Sequence, residues 1–279
     1  MTTLHQDGLL DLSFKRSPSG KTVLQTQSQR FPLRITVPLY IDTGDPSMAF
    51  IYVQNPTGAI IAGDRLLTSI TTAPGSRVHL TTQSATKLHA MEGGTSEQKM
   101  LFSLGENSFV EYLPDMLIPQ AGSRLSQNVT IELSPGACFI GADTISPGRR
   151  LSGELFKYEE LDFETTIKLD GNILSSDRLR LRPDDDHLQQ LGALGNRPYL
   201  VTLIAAAPGR NTEALASRID HALAAEPSVH GAAGELPNGA GALARALATD
   251  KAGADRALRV AWEAARSELL GLALPRERK

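Results

Sequence analysis

The sequence is poor in cysteine, with Cys138 as its only one. A lone cysteine excludes an intramolecular disulfide and any multi-cysteine zinc or iron-sulfur site within the chain, and it agrees with a reducing cytoplasm. An excess of one charge is also missing. A formal net charge of -3 over 279 residues supplies no electrostatic ground for binding nucleic acid or an anionic membrane. No apolar run approaches the roughly 18 residues of a membrane span, and residues 1–16 are interrupted by polar and acidic side chains where a secretory signal needs an apolar core. Histidines are few and scattered, at His5, His79, His89, His187, His221 and His230. What remains is a cytoplasmic protein of ordinary globular composition, long enough to bury a sizeable core.

Signatures of catalysis are lacking too. Ser19-Gly20-Lys21-Thr22 ends like a phosphate-binding loop, but Lys15 stands where the leading glycine of G-x-x-x-x-G-K-[ST] belongs and no buried strand precedes it. Neither a G-x-S-x-G elbow nor an H-E-x-x-H zinc motif occurs.

Present instead is a long series of short strands. Residues 33–37, 129–133 and 163–169 alternate apolar and polar side chains, as half-buried strands do, and clusters of Gly, Pro, Asn and Asp separate such runs. Turn centres near Gly75, Gly105 and Gly136 lie about 30 residues apart, a spacing that suits stacked hairpins or coils, each burying its apolar face on the next. The expected class is therefore mainly β, a β-helical or layered spiral, with residues 1–208 as the scaffold. Residues 209–279 are expected to form a helical segment packed on the same domain. Its first helix is expected over residues 212–225, capped by Asn211 and stopped by Pro227. Residues 228–241, rich in Gly and Ala, read as a loop. A second helix is expected over residues 255–270, with Leu258, Trp262, Ala265 and Leu269 on its apolar face and Arg256, Arg259, Glu263 and Arg266 around the other.

Carboxylates are the most suggestive polar set. Asp64, Glu111, Asp115 and Glu154, and more weakly Asp143 and Asp177, fall in or at the ends of expected strands, where alternation can aim several into one interior passage. A few hard oxygen ligands hold a borderline cation such as nickel weakly, which suits transfer. The alternative for each is to cap a turn or pair with a nearby cation such as Arg65, Lys87, Arg124 or Arg150. His79 is expected on the strand face opposite Val78 and Leu80, satisfied or solvated, with a nickel contact as the alternative. Cys138, between Ala137 and Phe139, reads as a small core residue.

A family resemblance runs co-linearly through nearly the whole chain. Asn55-Pro56-Thr57-Gly58 and Ala62-Gly63-Asp64-Arg65, then Leu80-Thr81-Thr82-Gln83-Ser84-Ala85-Thr86-Lys87, are similar to the N-P-[ST]-G, G-G-D-R and T-T-Q-x-A-T-K blocks of the UreD (UreH) family of urease accessory proteins. Glu111-Tyr112-Leu113-Pro114-Asp115, Gly148-Arg149-Arg150, Gly153-Glu154 and the tail with Trp262, Arg266 and Leu269-Leu270-Gly271 continue the pattern. Residues 209–241 match it least. The resemblance implies a non-catalytic β-helical scaffold with no tightly bound cofactor, carrying Ni2+ in transit through an internal tunnel. Its implied partners are urease accessory protein F, the GTPase accessory protein G and apo-urease. A β-scaffold with other protein clients, or an enzyme with an unrecognised site, stands as the alternative.

Overall fold

The computed structural model describes residues 7–190 and 192–275; His5 lies outside them. The chain opens with β1 (Asp7–Arg16), β2 (Thr22–Arg30), β3 (Arg34–Ile35), β4 (Ala49–Gln54), β5 (Arg65–Thr72) and β6 (Arg77–Thr82). It continues through β7 (Thr86–Leu88), β8 (Ser96–Leu104), β9 (Phe109–Tyr112), β10 (Leu117–Pro119), β11 (Arg124–Leu133) and β12 (Cys138–Ile145). The last third holds β13 (Glu160–Leu169), β14 (Asn172–Leu181), the short α1 (Pro183–Asp186) and β15 (Tyr199–Ala206). It closes with α2 (Thr212–Ala224), β16 (Val229–Glu235), β17 (Gly241–Ala248) and α3 (Lys251–Leu270). Among the described residues no helix is long and apolar enough to cross a membrane.

Two sheets face each other. The first has the order β14-β13-β11-β8-β5-β1-β2, and the second β16-β17-β15-β12-β9-β6-β4-β3. Within them β5, β8, β11 and β13 run parallel, as do β4, β6, β9 and β12. The chain therefore alternates between sheets in a β-helix-like arrangement of about four turns. The 30-residue spacing is one coil, so the repeat consists of coils and not hairpins. At the corners the Gly75 N–H donates to the Glu106 carbonyl (2.8 Å) and the Asn107 N–H to the Pro135 carbonyl (3.1 Å). This stacking needs glycine at 136: its φ is +73°, and a Cβ there would lie 2.2 Å from the Asn107 side-chain oxygen. A short third ladder, β7 beside β10, closes the remaining side of the coils.

Alternation assigns each strand's faces. On β9, Val110 and Tyr112 face the space between the sheets, while Phe109 and Glu111 face the helices; β12 does the same with Phe139 and Asp143 inside and Cys138 and Ile140 outside. The inner core is built from Leu12, Phe14, Ile70, Phe102, Ile131 and Leu161 among others, and the outer one from Ile140, Leu203, Leu215, Ile219 and the alanines of α3. Cys138 is a buried member of that outer core.

Two expectations about the C-terminal region are corrected. Residues 228–241 are not a loop: they hold β16, a short 3-10 turn and the start of β17, and β17 pairs with β15 along its whole length. Glycine and alanine disfavour strands by themselves, but here close approach decides. A Cβ on Gly231 would lie 2.8 Å from the Cβ of Ala246, so small residues let β16 close on β17 under α2. The second helix begins four residues early, at Lys251, because the Asp250 carboxylate accepts from the Gly253 N–H at 2.7 Å.

The helical spacing puts Arg266 on the polar face of that helix, yet its side chain is wholly buried. Its Nη1 donates to Oε2 of Glu111 at 2.6 Å, its Nη2 pairs with Asp42, and its Nε donates to the Ala273 carbonyl at 3.0 Å. The Trp262 indole N–H donates to the other Glu111 oxygen (2.9 Å), and His79 Nδ1 donates to Oε2 (2.8 Å) with its ring stacked on Phe50. Burial alone would raise the Glu111 pKa, but the His79 hydrogen bond and charge, the Arg266 charge and the Trp262 hydrogen bond outweigh it and hold it below the ordinary value. One guanidinium thus ties α3 to β9 and to the Asp42 loop.

Removing it strands two buried carboxylates, so Arg266→Met should cost about 3–5 kcal/mol of stability in denaturant titration. Adding Glu111→Gln should recover part of that loss; strictly additive losses would show that the pair does not act as a unit. The pH sign follows from the lowered Glu111 value. Its stabilisation is complete above the ordinary glutamate pKa of 4.5 and disappears as pH falls through the folded value. In Glu111→Gln the acid-induced fall in denaturation midpoint should be shallower than in the wild type.

Candidate functional site

The space between the sheets is not uniformly apolar. Gln98 on β8 lies beside Gln127 on β11, and Thr165 on β13 beside Asp177 on β14, so polar inward side chains recur from strand to strand along the coil axis. Opposite them, Asp143 on β12 is paired in register with Thr202 on β15, and Thr202 with Arg245 on β17. Gln127, Thr165, Asp177, Asp143 and Thr202 border a cavity of about 40 Å³ between β11, β13 and β14 on one side and β12 and β15 on the other. That is room for a few water molecules.

Two of the sequence-selected carboxylates meet here. Asp143 accepts from the Gln127 amide at 3.1 Å, and Asp177 pairs with Arg245 at 2.7 Å. Asp143 is half-buried, and what it exposes borders the cavity. Burial raises its pKa, with the Gln127 hydrogen bond acting in the opposite direction. Tyr112 borders the same cavity, and its hydroxyl ionises well above the usual tyrosine range, through burial first and the Asp143 charge second. The hydroxyl of Thr202, itself buried, has no hydrogen-bond partner there.

A second cavity of about 90 Å³ lies toward the first coils. Its lining includes Asn55, Gly58, Thr82, Gln83 and Lys87, so the N-P-T-G and T-T-Q-S-A-T-K blocks converge on one wall although a strand separates them in sequence. A groove of about 930 Å³ runs over the outer face of the second sheet beside α3 and is bordered by Phe50, His79, Leu113, Asp115, Arg259 and Trp262.

The other selected residues lie apart from the small cavity. Glu111 is on the helix side of the second sheet, engaged by Arg266, Trp262 and His79. His79 is satisfied by that contact and reaches the outer groove. Asp115 borders the same groove, its backbone N–H donating to Thr82 at 2.8 Å. Asp64 is buried in the turn before β5, where it accepts from the Ile61 N–H. Glu154 pairs with Arg149 in the loop after β12, Arg149 Nε donating at 2.8 Å, and also accepts from the Ala121 N–H. Among the described residues no three His, Cys, Asp or Glu side chains are grouped to hold a metal ion. The residues that pattern reading missed are Thr202, Gln127 and Arg245, which carry no motif and become neighbours of Asp143 and Asp177 only through strand register.

Comparison with known proteins covers the whole of this architecture. Residues 6–279 match the family model described as UreD urease accessory protein. The urease accessory protein UreD of Mycolicibacterium gilvum is 33% identical over 265 residues, 95% of this chain and 96% of that protein. The urease accessory protein UreD 2 of Streptomyces griseus is 36% identical over 278 residues, 98% and 93% of the two chains, and that of Brucella ovis 32% over 273 residues, 97% and 90%. With the match extending from β1 through α3, the chain belongs to the UreD family of urease accessory proteins.

Proposed function

We propose that this chain is a non-catalytic scaffold of urease maturation that assembles with urease accessory protein F and the GTPase accessory protein G on apo-urease. Nickel, as cargo, passes through the space between its two sheets. Family membership supports the role in maturation. The observation that carries the passage is the pair of carboxylates, Asp143 and Asp177, which with Gln127, Thr165 and Thr202 place polar groups on a cavity inside coils whose core is mainly aliphatic and aromatic. A dication is strongly disfavoured in an apolar interior, and the Asp143 carboxylate, together with Asp177 beside its Arg245 partner and neutral amide and hydroxyl oxygens, offsets part of that cost without the full coordination that would trap it. Enclosure between sheets keeps a weakly held ion from chelators in bulk solvent.

Asp143→Asn and Asp177→Asn keep side-chain size and remove charge. Together they should slow nickel loading of apo-urease roughly tenfold, equivalent to about 1.4 kcal/mol of lost attraction, with complex assembly on size exclusion unchanged. Asp115→Asn distinguishes the interior from the outer groove: interior passage leaves its loading at the wild-type rate. Because the Asp143 pKa is raised, loading should fail on acidification at a higher pH than an ordinary aspartate, at 3.8, would dictate. Wild-type loading by the double amide variant would refute interior passage.

The isolated chain should hydrolyse neither GTP nor ATP. Ser19, Gly20 and Lys21 lie in the turn between the antiparallel strands β1 and β2 and Thr22 begins β2, so the segment is not a strand-to-helix phosphate cradle, and the Lys21 ammonium lies 4.8 Å from the centre of the Tyr40 ring. Nucleotide turnover that disappears in Lys21→Ala would overturn this reading.

A further inference from the structure

Among the described residues, one side chain borders both interior cavities. Tyr112 is the sole residue that the linings of the larger and the smaller chamber share. It ends β9, with Leu80 beside it on β6 and Gly141 on β12. Phe102, from the opposite sheet, packs on its ring with centroids 5.3 Å apart. The phenol therefore bridges the gap between the sheets and is held from both. Space beside it depends on Gly141, because a Cβ there would lie 2.5 Å from the Phe139 ring. Gln98 and Gln127 are register neighbours, yet the first borders the larger chamber and the second the smaller. The division between chambers thus falls at Tyr112 and not at a break in the polar lining.

We infer that Tyr112 is the positioning residue that hands a divalent cation from the larger chamber to the smaller one, its ring acting as the partition and its hydroxyl as the oxygen common to both. This rests on the interior-passage reading above. The chemistry suits a relay. An un-ionised phenol offers one weak neutral oxygen, whereas a phenolate would hold the ion. Beyond the partition, the unpartnered Thr202 hydroxyl and the carboxylate of Asp143, opposite each other in register, supply the next oxygens.

The test compares Tyr112→Phe, Tyr112→Trp and Asp143→Asn, the last alone and combined with Asp177→Asn, in the full chain, assembled with its accessory partners and apo-urease, by following nickel per active site over time. Tyr112→Phe keeps the ring and its contact with Phe102, so it should assemble and melt like the wild type while loading roughly fivefold more slowly, the scale of one lost neutral oxygen contact. Tyr112→Trp, which enlarges the partition, should load more slowly still. Wild-type loading by Tyr112→Phe beside slow loading by Asp143→Asn overturns the relay and leaves interior passage standing. Wild-type rates in Tyr112→Phe and in Asp143→Asn combined with Asp177→Asn remove the passage and the relay together. A Tyr112→Phe variant slowed only in proportion to a lowered melting midpoint also overturns the relay, since its effect is then structural. The Phe variant decides the matter alone if the Trp variant fails to fold.

Discussion

One arginine facing two carboxylates inside the protein is the constraint on which the rest of the arrangement depends. Arg266 reaches from α3 to Glu111 on β9 and to Asp42 in the loop before β4, and a third donation binds it to the Ala273 carbonyl. Burying such charges is costly unless every partner is supplied, and here His79 and Trp262 complete the shell. The consequence is geometric. With α3 held in place, the alanine-lined outer core closes over the second sheet, and β15 and β17 continue that sheet past the last coil. The wall carrying Asp143 and Thr202 is therefore ordered by contacts on the opposite face of the same strands.

The inner face obeys a different balance. A coil stack gains most by filling its axis with aliphatic and aromatic side chains, and Leu12, Ile70, Phe102 and Ile131 do so. Gln98 beside Gln127, Thr165 beside Asp177, and Asp143 on the facing sheet depart from that rule. Buried polar groups without full partners weaken a fold, and the bare hydroxyl of Thr202 is an instance. Natural sequences accept such departures where function requires them.

How much of this was legible in the sequence depends on the range of the interaction responsible. The alternation in β11 is local, and so are the turns at Gly75, Gly105 and Gly136; together they point to a layered stack of hairpins or coils, and the pairing between distant strands makes it coils. The co-linear blocks identified the family, and Asp143 and Asp177 were among the carboxylates selected. That these two share a cavity, while Glu111 turns to the helices and Glu154 to Arg149, is set by register between strands distant in sequence, which composition does not encode. β16 and β17 were hidden because their Gly and Ala residues form strands only when the neighbouring strand and helix pack closely. Arg266 was misplaced because charge outweighs helical phase in a pattern reading. Its position four residues after Trp262, on the same helical face, was the available clue.

The parallel coils also set a scale. Each turn advances the interior by one strand separation, roughly 4.8 Å, so its length is counted in whole strands and not in residues. A chain of this design changes the span of its interior by gaining or losing an entire turn, whereas longer loops such as the one between β12 and β13 alter only the perimeter. Antiparallel β2 at one end and β14 at the other terminate the first sheet's parallel series, which fixes the number of steps.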